Sequence, residues 1–161
     1  MISKNELLEL LDRLSYNYKI FEHEAFFSVD DSEKKRGFSE GAHTKNLFLK
    51  NKKNNFFLLS CEENKKIDLK KVSKVLKLGN LSFANKELLL DLLGIYPGSV
   101  TPFGLLNNQE NNVSFYLDKD LMNYKTINFH PLVNTSTINM DINNFINFLI
   151  ENGKKVNIFD F

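Results

Sequence analysis

Two arms that are nearly continuous in apolar residues, Asn46-Leu47-Phe48-Leu49 and Phe56-Phe57-Leu58-Leu59, flank the polar stretch Lys50-Asn51-Lys52-Lys53-Asn54-Asn55. Short apolar runs on either side of a turn-forming segment read as a β-hairpin extending over His43 to Cys61. A strand with one wet face alternates apolar and polar residues, and these arms do not alternate. The hairpin must therefore lie inside a sheet covered on both faces, which requires helices above and below it.

The helices can be read from their caps and periodicity. Ser3 with Glu6 forms a capping-box pattern, and Leu7, Leu8, Leu11 and Leu14 follow at helical spacing. Asp68 opens a helix with Leu69, Val72, Val75 and Leu76 inward and Lys70, Lys74 and Lys77 outward. Asn85 opens another, with Leu88, Leu89, Leu92 and Leu93 apolar and Gly94 as its stop. Asp141 begins the last, where Ile142, Phe145, Ile146, Leu149 and Ile150 form the stripe and Gly153 ends it. Asp30 and Asp31 are N-cap candidates for a short charged helix ending near Gly37. Tyr18 to His23, Val113 to Asp118, Thr126-Ile127, Ser136 to Ile138 and Val156 to Phe159 are β-like. No internal repeat and no separating linker interrupts the series, so residues 1–161 are expected to form one α+β domain.

Composition removes several classes of function. Lys plus Arg number 21 against 20 Asp plus Glu, for a net charge of +1, which argues against attachment to nucleic acid or anionic lipid by bulk charge. Cys61 is the single cysteine, so neither an internal disulfide nor a Cys-based zinc cluster can form. It ends an apolar strand, where a buried, inert thiol is expected. No apolar run approaches bilayer length, and Met1 to Glu6 lacks the charged-then-apolar layout of a signal peptide, so the expected compartment is the cytoplasm. His23, His43 and His130 show no metal spacing, and neither a G-x-S-x-G elbow nor a phosphate loop is present; no metal and no cofactor are expected.

Most lysines read as solvated helix faces. Lys45 does not, because it sits inside a strand beside an apolar run. Tyr96-Pro97-Gly98-Ser99-Val100-Thr101-Pro102-Phe103-Gly104 also stands apart, with two prolines and two glycines specifying a loop geometry suited to presenting backbone N–H groups.

Three ordered blocks, Gly41 to Leu49, Leu93 to Asn107 and His130 to Thr137, together resemble the YbaK/prolyl-tRNA synthetase editing-domain family, and within it the free-standing alanyl-tRNA(Pro) deacylases. The resemblance implies a curved mixed β-sheet with flanking helices. It implies a hydrolase that cleaves alanine from mischarged proline tRNA, in transient contact with the acceptor end. Prolyl-tRNA synthetase is a further partner it suggests; DNA and membranes are not. A synthetase pocket that admits proline excludes the smaller alanine only weakly, which is why a second, size-limited site is needed.

By position, Lys45 matches the family's essential lysine, Gly98-Ser99-Val100-Thr101-Pro102 its G-x-x-x-P motif, and His130 the histidine of its H-P-L segment. The resemblance implies that Lys45 and His130 are catalytic and that Asn46 and residues Gly98, Ser99, Val100, Thr101, Pro102, Phe103 and Gly104 bind substrate. Lys45 could anchor the loop, the ester or a phosphate. His130 could orient a hydroxyl or water, or be a loop histidine satisfied by backbone. The alternatives to an editing hydrolase are a non-catalytic tRNA or amino-acid binding module, a deacylase for another small amino acid, and a metal-free esterase for small acyl compounds.

Overall fold

The structure is a computed structural model and describes residues 1–25, 28, 30 and 40–161. The charged helix expected from Asp30-Asp31 to Gly37 falls almost wholly outside the described residues. In chain order the described elements begin with α1 (Lys4–Arg13), β1 (Lys19–Glu22), β2 (Ala42–Lys50), β3 (Phe56–Glu62) and α2 (Leu69–Leu76). They continue with β4 (Ser82–Phe83), α3 (Lys86–Leu93), a 3-10 turn at Pro102–Asn107, β5 (Val113–Asp118) and a second 3-10 turn at Lys119–Asn123. Strands β6 (Thr126–Phe129) and β7 (Ser136–Asp141), helix α4 (Ile142–Glu151) and β8 (Val156–Phe159) complete them. None of these helices is long and apolar enough to cross a membrane.

The strands join in the order β1-β7-β6-β2-β3-β5-β8, with β4 attached to β2. The sheet is mixed: β2/β6, β3/β5 and β5/β8 run parallel, and β1/β7, β6/β7, β2/β3 and β2/β4 antiparallel. β2 pairs with β3 over its whole run from Thr44 to Lys50. On its other edge it meets β6 only at Ala42 and His43 and β4 only at Leu49 and Lys50. Between those two short pairings the edge of β2 is open to other partners.

The expected hairpin is present and covered on both sides. Leu58 and Phe115 face the main core, whereas Leu49, Phe57, Leu59 and Cys61 lie on the opposite face with Val72 of α2, all buried. The hub of the main core is Phe103, fully buried, with ring centroids 5.8 Å from Phe145, 6.0 Å from Phe148 and 6.2 Å from Phe129. These rings meet mostly edge to face, the arrangement their quadrupoles favour.

The caps form as the sequence indicates. Ser3 and Glu6 complete a reciprocal capping box, and Asp68, Asn85 and Asp141 accept from backbone N–H groups of the first turns they open. Two inward assignments are corrected. Ile150 is 56% exposed and Phe148 is buried in its place. At about 100° per residue Phe148 lies roughly 60° from Phe145 and Ile150 roughly 140°, so only Phe148 falls within the arc facing Phe103. Val75 is 46% exposed, because α2 rests on the sheet through Val72, with the flanks Leu69 and Leu76 half-buried on the other side.

Phe103→Ala removes the ring that joins its own 3-10 turn to β6 and α4. It should cost about 3–5 kcal/mol in a chemical denaturation midpoint analysis. A loss under about 1 kcal/mol would show that the aromatic cluster is not the core's centre.

Candidate active site at the fork between two strands

β6 leaves β2 after His43, and the divergence opens a cavity of about 40 Å³. His43, Thr44 and Asn46 of β2 wall one side; Asn128, Phe129 and His130 wall the other; Thr137 of β7 and Glu63 complete it. Gly41 governs the entry to this fork. Its φ is +76°, and a Cβ there would sit 2.7 Å from the Thr126 carbonyl oxygen, so only glycine lets the chain turn this close to β6.

The two strands are locked at the fork by side-chain amides. Asn128 Nδ2 donates to the carbonyls of Glu40 and Ala42 at 2.8 and 3.0 Å. Asn139 Nδ2 donates to Asn128 Oδ1 at 3.0 Å and to Thr126 Oγ1 at 3.1 Å. Both asparagines are buried, and their polar atoms are matched within the network, which is what makes such burial tolerable. Thr44 Oγ1 donates to the Asn128 carbonyl at 2.7 Å, so β2 and β6 stay tethered one step after their ladder ends.

Asn46 ties the glycine–proline loop to the same strand. Its Oδ1 accepts from Ser60 Oγ at 2.5 Å on β3, and its Nδ2 donates to the Val100 carbonyl at 3.0 Å. Gly98 has φ +91°, and Ser99 N–H donates back to the Tyr96 carbonyl to close the turn. Thr101 caps the 3-10 turn through Phe103 N–H. Of the expected loop residues Gly98 is exposed, Val100 is half-buried, and Ser99, Thr101 and Pro102 are buried. Phe103 is the core hub, and Gly104 packs against Ile95 and Leu93 with no room for a Cβ. These two shape the loop from beneath, and none of Gly98 to Gly104 lines the cavity itself; the loop reaches it only through the Val100 carbonyl held by Asn46.

His130 donates from Nδ1 to the Ser136 carbonyl at 2.8 Å, which leaves Nε2 as the acceptor nitrogen of the neutral ring. Burial lowers its pKa below 6.5, against the raising effect of that hydrogen bond, and nearby His23 adds to the lowering. His23 lies 6.0 Å away between ring centroids; its Nδ1 donates to the Glu24 carbonyl and its Nε2 accepts from Thr137 Oγ1 at 2.8 Å. Leu132, in the His130-Pro131-Leu132 segment, holds φ +69°, an uncommon conformation for a bulky residue. Among the described residues no three His, Cys, Asp or Glu side chains are grouped to hold a metal ion.

Lys45 takes the opposite side of β2 from Thr44 and Asn46 and does not line this cavity. It faces Cys61 across the hairpin register, is half-buried, and has no ion pair among the described residues. Burial pushes the Cys61 thiol up to about 12, although the Lys45 charge opposes the rise. That agrees with the inert thiol read from the sequence.

The fold thus unites Asn46 with His130, joins the Gly98–Pro102 loop to them through Val100, and leaves Lys45 beside Asn46 on β2 but on the other side of that strand. His43, Thr44 and Thr137 lie within the blocks that carry the family resemblance. His23, Glu63 and Asn128 reach the site only through strand pairing, and no local pattern marks them.

The lowered pKa of His130 has a sign that can be tested. The unfolded chain takes up the proton first, so His130 withdraws stability as pH falls below 6.5 towards its folded value. His130→Asn places an amide nitrogen where Nδ1 donates and cannot titrate. Part of the loss in unfolding free energy as pH falls below 6.5 should vanish in this variant. An unchanged acid limb would contradict the assignment.

Comparison with known proteins places this geometry. The model of the aminoacyl-tRNA editing domain matches residues 23–148, which contain the whole fork. A prolyl-tRNA editing protein ProX from Acetoanaerobium sticklandii is 32% identical over 86% of this chain and 85% of its own length. A prolyl-tRNA synthetase associated domain-containing protein 1 from Danio rerio is 33% identical over 92% of this chain and 82% of its own. A crystal structure described as that of a candidate trans-editing enzyme for prolyl tRNA synthetase superposes with a TM-score of 0.72 at 20% identity, covering 100% of this chain and 99% of that one. The mixed sheet with flanking helices is therefore the editing-domain fold, and the chain belongs to the aminoacyl-tRNA editing domain family.

Proposed function

We propose that this chain is a trans-editing aminoacyl-tRNA deacylase that hydrolyses the ester of Ala-tRNA(Pro). The observation that carries the reading is the fork cavity, where an acceptor imidazole nitrogen, a tethered loop and a small volume adjoin. A space of about 40 Å³ takes a methyl group or a few waters and leaves little room for a larger side chain. So small a space supports a preference for alanine over the bulkier proline ring, the discrimination that a second, size-limited site would provide.

The aminoacyl ester is already activated, so positioning and charge stabilisation suffice. In this reading the Gly98–Pro102 backbone holds the aminoacyl end and the developing oxyanion through the N–H groups of Gly98, Val100 and Thr101, since Ser99 N–H closes the turn on the Tyr96 carbonyl and Pro102 has none. Asn46 holds that backbone in place through Val100. His130 Nε2 orients the attacking water or a ribose hydroxyl, which its neutral state at pH 7 permits. Lys45 lies on the other side of β2 from the cavity. In this reading its long side chain brings positive charge round the open edge of the strand to the ester or an adjacent phosphate, with no ion pair among the described residues to hold it elsewhere. The partners are mischarged proline tRNA, met briefly at its acceptor end, and prolyl-tRNA synthetase; the compartment is the cytoplasm.

Purified protein incubated with Ala-tRNA(Pro) and Pro-tRNA(Pro) should accelerate loss of the first and leave the second at the buffer rate. Lys45→Ala should lower the Ala-tRNA(Pro) rate by about 10²-fold or more with an unchanged thermal midpoint. Equal loss of both charged tRNAs would overturn the substrate assignment, and full activity of Lys45→Ala would overturn the role given to that lysine.

A further inference from the structure

The parallel register of β3, β5 and β8 starts all three strands at the same end of the sheet, the end away from the fork. The turns that precede them therefore lie side by side: Asn51 to Asn55, Asn108 to Asn112, and Gly153 to Lys155. Two concavities open there, of about 580 and 280 Å³, and they share Asn111 and Ser114 in their walls. Lys52, Lys53 and Lys77 line the larger one, and Lys154 and Lys155 the smaller. Among the described residues no Asp or Glu lines either. The nearest carboxylate in these turns, Glu110, is turned to Asn112 at 3.3 Å. In a chain whose net charge is only +1, this is a strong local segregation of positive charge.

The turns are held in shape by neutral groups. Asn51 is buried; its Oδ1 accepts from Lys53 and Asn55 N–H at 3.0 Å, and its Nδ2 donates to the Leu78 carbonyl at 2.9 Å. One side chain thus fixes the turn bearing Lys52 and Lys53 and joins it to the end of α2 that carries Lys77. Lys154 Nζ is spent on the Asn108 carbonyl and Asn111 Oδ1, at 2.8 and 2.7 Å, which joins the other two turns. Lys52, Lys53, Lys77 and Lys155 remain exposed around the rim.

We infer that this joined concavity is a docking surface for the phosphodiester backbone of an RNA duplex, separate from the fork cavity. The inference rests on the deacylase reading for the identity of the RNA. A carboxylate-free, asparagine-lined basic groove suits phosphate and sugar oxygens, to which lysines bring charge and amides bring sequence-independent hydrogen bonds. The spacing agrees. From His43 to Lys50 β2 runs about 23 Å at the ordinary strand rise. A stacked strand covers that distance in about seven nucleotides at roughly 3.4 Å each, enough to pass from an unpaired 3′ end into the duplex behind it.

The test measures binding of deacylated tRNA(Pro) to the full chain as a function of salt, so that it does not depend on hydrolysis. The variant carries Lys52→Gln, Lys53→Gln, Lys77→Asn and Lys155→Gln, with asparagine at position 77 because the backbone there is left-handed (φ +55°). It should bind at least tenfold more weakly at low salt, and its plot of log affinity against log salt should be flatter by about 2 to 4. The single substitution Lys52→Glu should shift affinity in the same direction without disturbing the thermal midpoint. Equal affinity and slope for wild type and both variants would overturn the inference. Lysine-dependent binding to vesicles of phosphatidylserine and phosphatidylcholine, with none to the tRNA, would overturn it in favour of a lipid surface. Lysine-dependent tRNA binding by a protein that deacylates nothing would sustain this surface and reject the deacylase reading.

Discussion

β2 has to satisfy two neighbours that run in different directions, and the rest of the molecule is arranged around that constraint. Along one edge it pairs with β3 without interruption, while along the other it releases β6 after Ala42 and His43. A strand that loses its ladder exposes backbone polar groups that something else must satisfy. The Ala42 carbonyl accepts from the Asn128 amide and the Phe48 carbonyl from Ala84 N–H, while the side chains of Thr44 and Asn46 between them meet the carbonyls of Asn128 and Val100. The site is what remains where the ladder opens and these substitutes do not fill the space.

Holding the fork open costs burial of polar side chains, and two independent networks bear that cost. Asn128, Asn139 and Thr126 form the first, beneath the turn at Gly41. The second centres on buried Ser136, whose Oγ donates to Glu22 at 2.6 Å and accepts from Lys4 at 2.7 Å while its carbonyl accepts from His130. Lys4 and Glu22 are themselves 2.7 Å apart, so α1 and β1 are joined to the strand that positions the imidazole. A comparable ion pair braces the far side of the sheet, where fully buried Asp118 meets Lys65 at 2.7 Å. The buried carboxylate of Asp118 is tolerable because it has both a counter-charge and a hydrogen bond from Asp120 N–H.

Local features of the fold were legible in the sequence because they are written in short-range physics. Ser3, Asp68, Asn85 and Asp141 announce helix starts through the N–H groups they must satisfy, and the arms around Asn51 announce a doubly covered hairpin. Ile150 was misread because helical periodicity gives a stripe but not its centre, which Phe103 sets from a distant loop. Phe103 itself was read as part of a binding loop, since its segment is motif-like, although its ring is the core's hub. The motif names Lys45 and Asn46 together, and only strand alternation shows that they take opposite sides of β2. His23, Asn128 and Glu63 were silent, because their place at the site depends on pairings far apart in sequence. The near-zero net charge was also incomplete as a guide: it averages over a basic end of the sheet that only the parallel register assembles.

The central claim is that the fork cavity receives the aminoacyl end of the tRNA. Its most direct test is titration with a non-hydrolysable alanyl-adenosine in which an amide replaces the ester, followed by side-chain NMR of histidine and asparagine resonances. Binding should move His130 and Asn46 together, with Thr44 and Val100 responding through their hydrogen bonds, and leave Asn51 and Asn111 at the basic end unmoved. Shifts confined to the basic end, or saturation with His130 and Asn46 unchanged, would contradict the account.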